Sequence, residues 1–184
     1  MKRCPRCRSP LPAQATGRRR VWCSPACRYA AYRRRRQRSV HFSSASSEWA
    51  TPPELFAALD AEHAFTLDAC ATADNAKCSH FFTRKEDGLA QPWTDRVWCN
   101  PPYGRAIGLW LQKAWESVQT GQAELVVCLV PARVDTSWWH EYAARGEVTF
   151  LRGRLRFGGG EASAPFPSAL VVFRGALPRH KTAA

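Results

Sequence analysis

Arg96-Val97-Trp98-Cys99-Asn100-Pro101-Pro102-Tyr103-Gly104 joins a short apolar run to a turn with two consecutive prolines. Each proline fixes its own φ and holds the residue before it extended. The pattern therefore predicts a buried strand that ends in a rigid turn at Asn100. Asn-Pro pairs are also common in ordinary turns, so a tight turn with no chemical role is the alternative.

The turn presents three groups with complementary chemistry. The carboxamide oxygen of Asn100 and the carbonyl of Pro101 can each accept a hydrogen bond, and the ring of Tyr103 can stack on a planar partner. Together they fit a planar exocyclic amine, whose two N–H groups are donors. The candidate catalytic residues are Asn100, Pro101, Pro102 and Tyr103.

Helical and strand patterns alternate on both sides of this turn. A helix is expected just after Thr51, with Thr51 as its N-cap, and residues 106–120 and 138–144 are helical in pattern. The expected strands are residues 65–70, 97–99, 124–130, 148–151 and 169–174. Such alternation is typical of a three-layer α/β fold (αβα) with a mostly parallel sheet. Ligands of these folds bind at the carboxyl ends of strands, where Asp68 and Asn100 are predicted to lie.

Four cysteines near the N-terminus form two close pairs, Cys4 with Cys7 and Cys23 with Cys27. This spacing suits one tetrahedral Zn²⁺ bound by four thiolates. A piece of about forty residues cannot build a sufficient core unaided, so a structural metal is expected if it folds. Two disulfides are the alternative, which a cytoplasmic setting disfavours.

Positive charge is concentrated in the same N-terminal piece. The chain of 184 residues has a formal net charge of +12, yet residues 1–41 hold thirteen basic residues and no acidic one, so the remainder has a net charge of −1. Ser24 is the predicted N-cap of a helix that continues into Arg33-Arg34-Arg35-Arg36. A basic piece of this kind favours a polyanionic partner, in the first place nucleic acid, and a solvated tail is the alternative.

The whole chain sets further limits on class and organisation. It has no run of eighteen apolar residues and no apolar signal segment at its N-terminus, so the cytoplasm is the expected location and no membrane partner is expected. The expected units are a basic Cys4 zinc-finger-like module at residues 1–38, a serine-rich linker at 39–47, a larger domain at 48–175 and a flexible tail at 176–184.

Nine short matches in the larger domain carry a family resemblance. They are EWATP (48–52), FTLDACA (65–71), NAKC (75–78), DGL (87–89), Trp93, CNPPYG (99–104), LVPARVDTSWWH (129–140), GRLRF (153–157) and APFPS (164–168). In this order they resemble the phage-type Dam-like DNA N-6-adenine methyltransferases. The resemblance implies a Rossmann-like methyltransferase fold, S-adenosylmethionine as cofactor, DNA as partner, and a phage or prophage origin with action in the bacterial host cytoplasm. It does not cover the N-terminal module.

The resemblance also implies roles for individual residues. Asn100 and the Pro101 carbonyl would accept the amine of an adenine taken out of the duplex, and Tyr103 would stack on it. The glycine-rich turn expected after Asp68 is absent, and Asp87 has the alternative role of a turn residue. The expected cofactor residues are Trp49, Thr51, Asp68, Ala69, Cys70, Asp87 and Asn100. The expected DNA contacts are Arg33, Arg34, Arg35, Arg36, Arg133, Asp135, Arg154 and Arg156.

The functional expectation is a DNA adenine-N6 methyltransferase that uses S-adenosylmethionine. Methylation of N4-cytosine, RNA or protein glutamine stays open, as does a zinc-dependent, non-catalytic nucleic-acid-binding protein. A nuclease is disfavoured because the sequence shows no convincing pair of carboxylates or histidine-rich cluster. Cys99 is expected to be a small buried residue and not a nucleophile. Restriction-modification and regulation both stay open as biological roles.

Overall fold

A computed structural model describes residues 3–11, 21–31, 49–159 and 163–175. The chain divides into two compact units, Met1–Ala45 and Ser46–Ala184. The predicted linker at 39–47 and the predicted tail at 176–184 lie outside the described residues, as do Arg33, Arg34, Arg35 and Arg36. The boundaries expected for the two domains therefore stay predictions.

A six-stranded sheet forms the centre of the second unit. Its strands lie in the order β2-β1-β3-β4-β6-β5. Neighbouring strands from β2 to β4 are parallel, whereas β6 is antiparallel to both β4 and β5. The helices are α1 (Pro53–His63), α2 (Ile107–Gln119) and α3 (Ser137–Glu141), and the strands are β1 (Leu67–Asp68), β2 (His80–Phe81), β3 (Asp95–Cys99), β4 (Ala123–Pro131), β5 (Glu147–Phe150) and β6 (Ser168–Arg174).

Burial of the central strand shows that both faces of the sheet are covered. In β4 the seven residues from Leu125 to Pro131 are all buried, although successive side chains of a strand point to opposite faces. The apolar side of α2, which includes Leu111, Ala114 and Val118, is buried as its helical spacing predicts. The predicted α/β fold with a mostly parallel sheet is confirmed, and its topology is Rossmann-like.

Two local expectations differ from the structure. The N-cap of α1 is Pro52, so the predicted N-cap role of Thr51 is wrong. The Thr51 hydroxyl instead accepts a hydrogen bond from Asn100, a partner far away in the chain. Strand β2 was not predicted, because the sequence around it, from Lys77 to Lys85, shows neither alternation nor a long apolar run.

Gly88 is required by a close approach between two backbone segments. A Cβ built at this position would lie 2.2 Å from the carbonyl oxygen of Ala69 and 3.2 Å from the ring of Trp110. The Gly88 carbonyl in turn accepts a hydrogen bond of 2.8 Å from the buried indole N–H of Trp93. The absence of a side chain at Gly88 therefore allows the segment after β2 to pack against the segment after β1.

We expect Gly88→Ala to lower the free energy of unfolding by about 1–3 kcal/mol, the usual cost of overpacking. Backbone atoms of Ala69 have to move, which is harder than turning a side chain. Denaturant unfolding measures the change. Gly104→Ala is the matched control, because a Cβ there meets nothing within 4 Å. Equal stability of the two variants would contradict this account.

The first unit contains a short helix over residues 25–31. The hydroxyl of Ser24 accepts a hydrogen bond from the backbone N–H of Cys27, which confirms the predicted N-cap. None of the described helices, in either unit, is long and apolar enough to span a membrane.

Candidate active site and cysteine cluster

Asn100 lies where the sheet topology predicts, immediately after β3 and beside the end of β1. Asp68, the last residue of β1, pairs in register with Trp98 of β3. The Asn100 amide nitrogen donates to the hydroxyl of Thr51 at 2.9 Å and to the backbone carbonyl of Trp49. Two acceptors in the segment from Trp49 to Thr51 thus hold the side-chain amide of Asn100.

The oxygen of the same carboxamide is buried without a partner. No described residue donates a hydrogen bond to Asn100 Oδ1. A buried acceptor left unpaired costs about 1–3 kcal/mol, so such an atom points to a missing partner. Asn100 lines a cavity of about 320 Å³, within the size range of small-molecule sites. A ligand with an N–H group would supply the missing donor.

Asp68 organises the wall of this cavity through backbone contacts. Its carboxylate accepts hydrogen bonds from the backbone N–H groups of Cys70 at 3.2 Å and Lys77 at 3.0 Å. The side chain is buried, and burial raises its pKa above the ordinary value, while the N–H groups of Lys77 and Cys70 lower it in part. Asp68 thereby ties together the two ends of the segment from Cys70 to Lys77, and both ends line the cavity.

Tyr103 is part of an aromatic cluster and only 9% exposed. Its ring is stacked on that of Trp49 with centroids 6.4 Å apart, and it meets Phe157 and Phe166 edge-on. The phenol donates a hydrogen bond of 3.2 Å to the carbonyl of Leu129, and burial raises its pKa well above the ordinary value. Trp49 lines the cavity, whereas Tyr103 and Pro101 are not among the described residues that do.

Most of the predicted cofactor residues come together around the cavity. Trp49, Thr51, Asp68, Cys70, Asp87 and Asn100 line it, and Pro102 joins them from the predicted catalytic set. Ala69 lies next to Gly88 and is not part of the described lining. Asp87 is also a turn residue, since it has a positive φ of 53° and accepts from the Leu89 N–H.

Several lining residues were not predicted from the sequence. The polar ones outside the predicted set include two cations, and they are Thr72, Asn75, Lys77, Thr83 and Arg84. They follow β1 and β2, at the carboxyl ends where ligands of such sheets bind. Recognition of β2 would have drawn attention to Thr83 and Arg84, but the sequence around that strand shows no clear apolar pattern.

The predicted DNA contacts in the second unit are exposed, and none of them is among the described residues that line the cavity. Arg133 and Asp135 are in the turn between β4 and α3, and Arg154 and Arg156 precede the 3-10 turn Phe157–Gly159. The backbone N–H of Ala164 donates a hydrogen bond of 2.8 Å to the carbonyl of Leu155, which lies between Arg154 and Arg156. Nothing in these contacts tests binding to DNA, and the role of these residues stays a prediction.

Cys4, Cys7, Cys23 and Cys27 form one cluster in the first unit. Their sulfur atoms all lie within 4.8 Å of one another, and the four cysteines are free. The sulfur atoms of Cys7 and Cys23 are 3.3 Å apart, and those of Cys23 and Cys27 are 3.5 Å apart. Both distances are too long for a disulfide bond, which measures about 2.05 Å. Tetrahedral Zn–S bonds of about 2.3 Å place sulfurs about 3.8 Å apart, so the cluster can hold such an ion.

We expect the full chain to purify with one tightly bound zinc, and Cys23→Ser to lose most of it because one thiolate ligand is missing. Metal analysis of the purified protein measures the content. Cys78→Ser is the control, since Cys78 is half-buried and lies outside the cluster. A Cys23→Ser protein that kept its full zinc content would exclude a four-thiolate site.

The fold and the site together define a class. A Rossmann-like sheet carries an Asn-Pro-Pro-Tyr turn after one strand and a buried aspartate at the end of its neighbour, an arrangement that fits the methyltransferases. The chain belongs to the Dam family of DNA N-6-adenine-methyltransferases, which matches residues 38–174. The resemblance predicted from the sequence is therefore confirmed.

Two curated relatives are similar to parts of the chain. The DNA N-6-adenine-methyltransferase of Escherichia phage T1 is 32% identical over 96 residues, which cover 50% of this chain and 39% of the phage protein. The "Putative methyltransferase YfdM" of Escherichia coli (strain K12) is 33% identical over 64 residues, which cover 30% of this chain and 70% of that protein. The match thus spans less than half of the phage protein.

Proposed function

We propose that this protein transfers a methyl group from S-adenosylmethionine to the N6 amine of adenine in DNA. The observation that carries the proposal is the buried Oδ1 of Asn100, which has no partner among the described residues and belongs to a residue that lines a cavity of ligand size. That oxygen can only accept, so the site suits a ligand that donates a hydrogen bond, as the N–H of an amine does. Membership of the Dam family and the name of the phage T1 relative support adenine and DNA.

The cavity has a lining that fits S-adenosylmethionine, which is a cation with an amino-acid end and an adenosine end. Asp68 and Asp87 supply negative charge, and Lys77 and Arg84 supply positive charge for a carboxylate. Trp49, Thr51, Cys70 and Asn100 complete the set that would hold it. When bound, the cofactor supplies an electrophilic methyl carbon, which bonds to the amine nitrogen as its bond to sulfur breaks, leaving a thioether and releasing one amine proton to solvent.

The protein's own part in the reaction is to align and activate the amine. Asn100 Oδ1 accepts one N–H of the amine, and the carbonyl of Pro101 is proposed to accept the other. These hydrogen bonds reduce the delocalisation of the nitrogen lone pair into the ring and orient the amine. Alignment of the reactants accounts for much of the rate. Trp49 lines the cavity and its ring packs on that of Tyr103, and this aromatic pair is proposed to stack on the base.

Attraction to DNA is assigned mainly to the N-terminal unit. Residues 1–41 carry thirteen basic residues, whereas the remainder has a net charge of −1 and therefore attracts phosphates weakly. In the described part of this unit Arg3, Arg6, Arg8 and Arg28 are all exposed. Zinc is proposed as the metal that the cysteine cluster holds, with a structural role.

The deciding experiment incubates the full chain with tritium-labelled S-adenosylmethionine and DNA of mixed sequence, followed by digestion to nucleosides and chromatography. We expect the label in N6-methyladenine. Label in N4-methylcytosine would refute the choice of base. If DNA stayed unlabelled and calorimetry detected no binding of S-adenosylmethionine, the non-catalytic zinc-dependent binding protein would be the better description.

A further inference from the structure

The orientation of the Asn100 carboxamide decides whether the site can accept an amine. A carboxamide has a donor end and an acceptor end of nearly equal size. With its oxygen toward the ligand it accepts from an amine, and with its nitrogen toward the ligand it would instead favour a carbonyl. A site that methylates amines therefore needs a device that excludes the second orientation.

The segment from Trp49 to Thr51 contains such a device. The Trp49 carbonyl can only accept, so it requires the nitrogen end of the Asn100 amide to face it. The Thr51 hydroxyl takes the second hydrogen of the same nitrogen at 2.9 Å. Both hydrogens of the amide nitrogen are thereby used within the protein, whereas the oxygen of the same amide finds no donor among the described residues.

This segment is itself held in place. Thr51 is only 5% exposed, and its hydroxyl is not engaged in capping α1. The carbonyl of Ala50 accepts a hydrogen bond of 2.9 Å from the backbone N–H of Gly158, and the Trp49 ring packs edge-on against Phe157 at 5.2 Å. The two acceptors that face Asn100 are thus fixed by packing, as a device that sets orientation requires.

We propose that Thr51 is a positioning residue, which acts through Asn100: together with the Trp49 carbonyl, which can only accept, its hydroxyl holds the amide nitrogen and so keeps the amide oxygen turned toward the substrate amine. The inference rests on the proposed function, since it deepens the role of the same site. This positioning role differs from the cofactor-binding role predicted for Thr51, because a substitution of Thr51 then changes the methyl-transfer step and the Asn100 amide. A role confined to the cofactor would change the affinity for S-adenosylmethionine instead.

The Asn100 amide can be observed directly, because asparagine occurs only at positions 75 and 100. Protein labelled with ¹⁵N-asparagine shows two side-chain amide pairs by NMR, and Asn75→Asp removes one pair and so assigns the other. We expect Thr51→Val, which keeps the shape but not the acceptor, to speed hydrogen exchange of the Asn100 side-chain amide by about tenfold or more. Thr51→Ser keeps the acceptor and should restore slow exchange.

Steady-state kinetics with DNA at saturating S-adenosylmethionine completes the test. Thr51→Val is expected to lower kcat by about tenfold, as for the loss of one hydrogen bond, and Thr51→Ser to recover most of the loss. The proposal is overturned if Thr51→Val leaves the Asn100 amide unchanged, or if it alters the amide but changes only the cofactor Kd. If the wild-type protein methylated no DNA, the proposed function would fail, and the exchange measurement would still decide whether Thr51 holds the amide.

Discussion

Replacing Asn100 with alanine is expected to lower kcat for methyl transfer by about 10²–10³-fold, the usual effect of removing one group that stabilises the transition state. The alanine has no acceptor for the substrate amine, which loses both activation and alignment. The affinity for S-adenosylmethionine should change far less, because the other residues around the cavity remain. Kinetics with labelled cofactor give kcat, and calorimetry gives the cofactor Kd.

Folding must be checked in the same variant, because the substitution leaves the Trp49 carbonyl and the Thr51 hydroxyl without their donor. A loss of about 1–3 kcal/mol in the free energy of unfolding is expected. Gln112→Ala is the control, since it removes a carboxamide that bonds Glu116 on α2 and does not line the cavity. Undiminished kcat in a folded Asn100→Ala protein would remove Asn100 from the mechanism.

Deleting residues 1–41 is expected to raise the KM for DNA by about two orders of magnitude or more at low salt. The deletion removes thirteen basic residues and leaves a unit with a net charge of −1. If the intact chain neutralises about six phosphates, log K for DNA falls with log salt at a slope of about −5, and the slope should flatten in the deletion. Binding titrations at several salt concentrations measure both quantities.

A change confined to charge separates electrostatics from folding of the N-terminal unit. In the full chain, we expect replacement of four arginines by glutamine to make the slope of log K for DNA against log salt less negative by about 3–4, while the zinc content stays the same. The four are Arg33, Arg34, Arg35 and Arg36. The Kd for S-adenosylmethionine should stay within about twofold in both proteins, because the described residues that line the cavity all belong to the second unit. An unaltered KM for DNA after the deletion would refute this division of labour.

Much of the fold could be read from local patterns. The apolar run in β4 predicted a strand covered on both faces, and the spacing in α2 predicted its buried side, because these signals come from neighbouring residues. The predicted cysteine set is also the one that the structure brings together. Strand β2 was missed, since the sequence around it shows neither alternation nor a long apolar run.

The candidate site was predicted only in part. Their residue types and their places at strand ends identified Asn100 and Asp68 as site candidates. The order of the strands explains why the two lie near each other. The cations Lys77 and Arg84 gave no such signal, because charged residues in loops are common and their approach to the cavity depends on how the loops pack. The roles of the individual residues remain predictions for the experiments above.

By itself the sequence determined which groups are available: an amide after a buried strand, an acid after its neighbour, four thiols and a basic N-terminal piece. Only the tertiary structure decided that Thr51 holds Asn100, that Gly88 meets Ala69, and that Tyr103 is buried against Trp49. Asn100 and Thr51 are 49 residues apart in the chain. Propensity and periodicity act over a few neighbouring residues, whereas contacts at such separation are selected by the packing of the whole core.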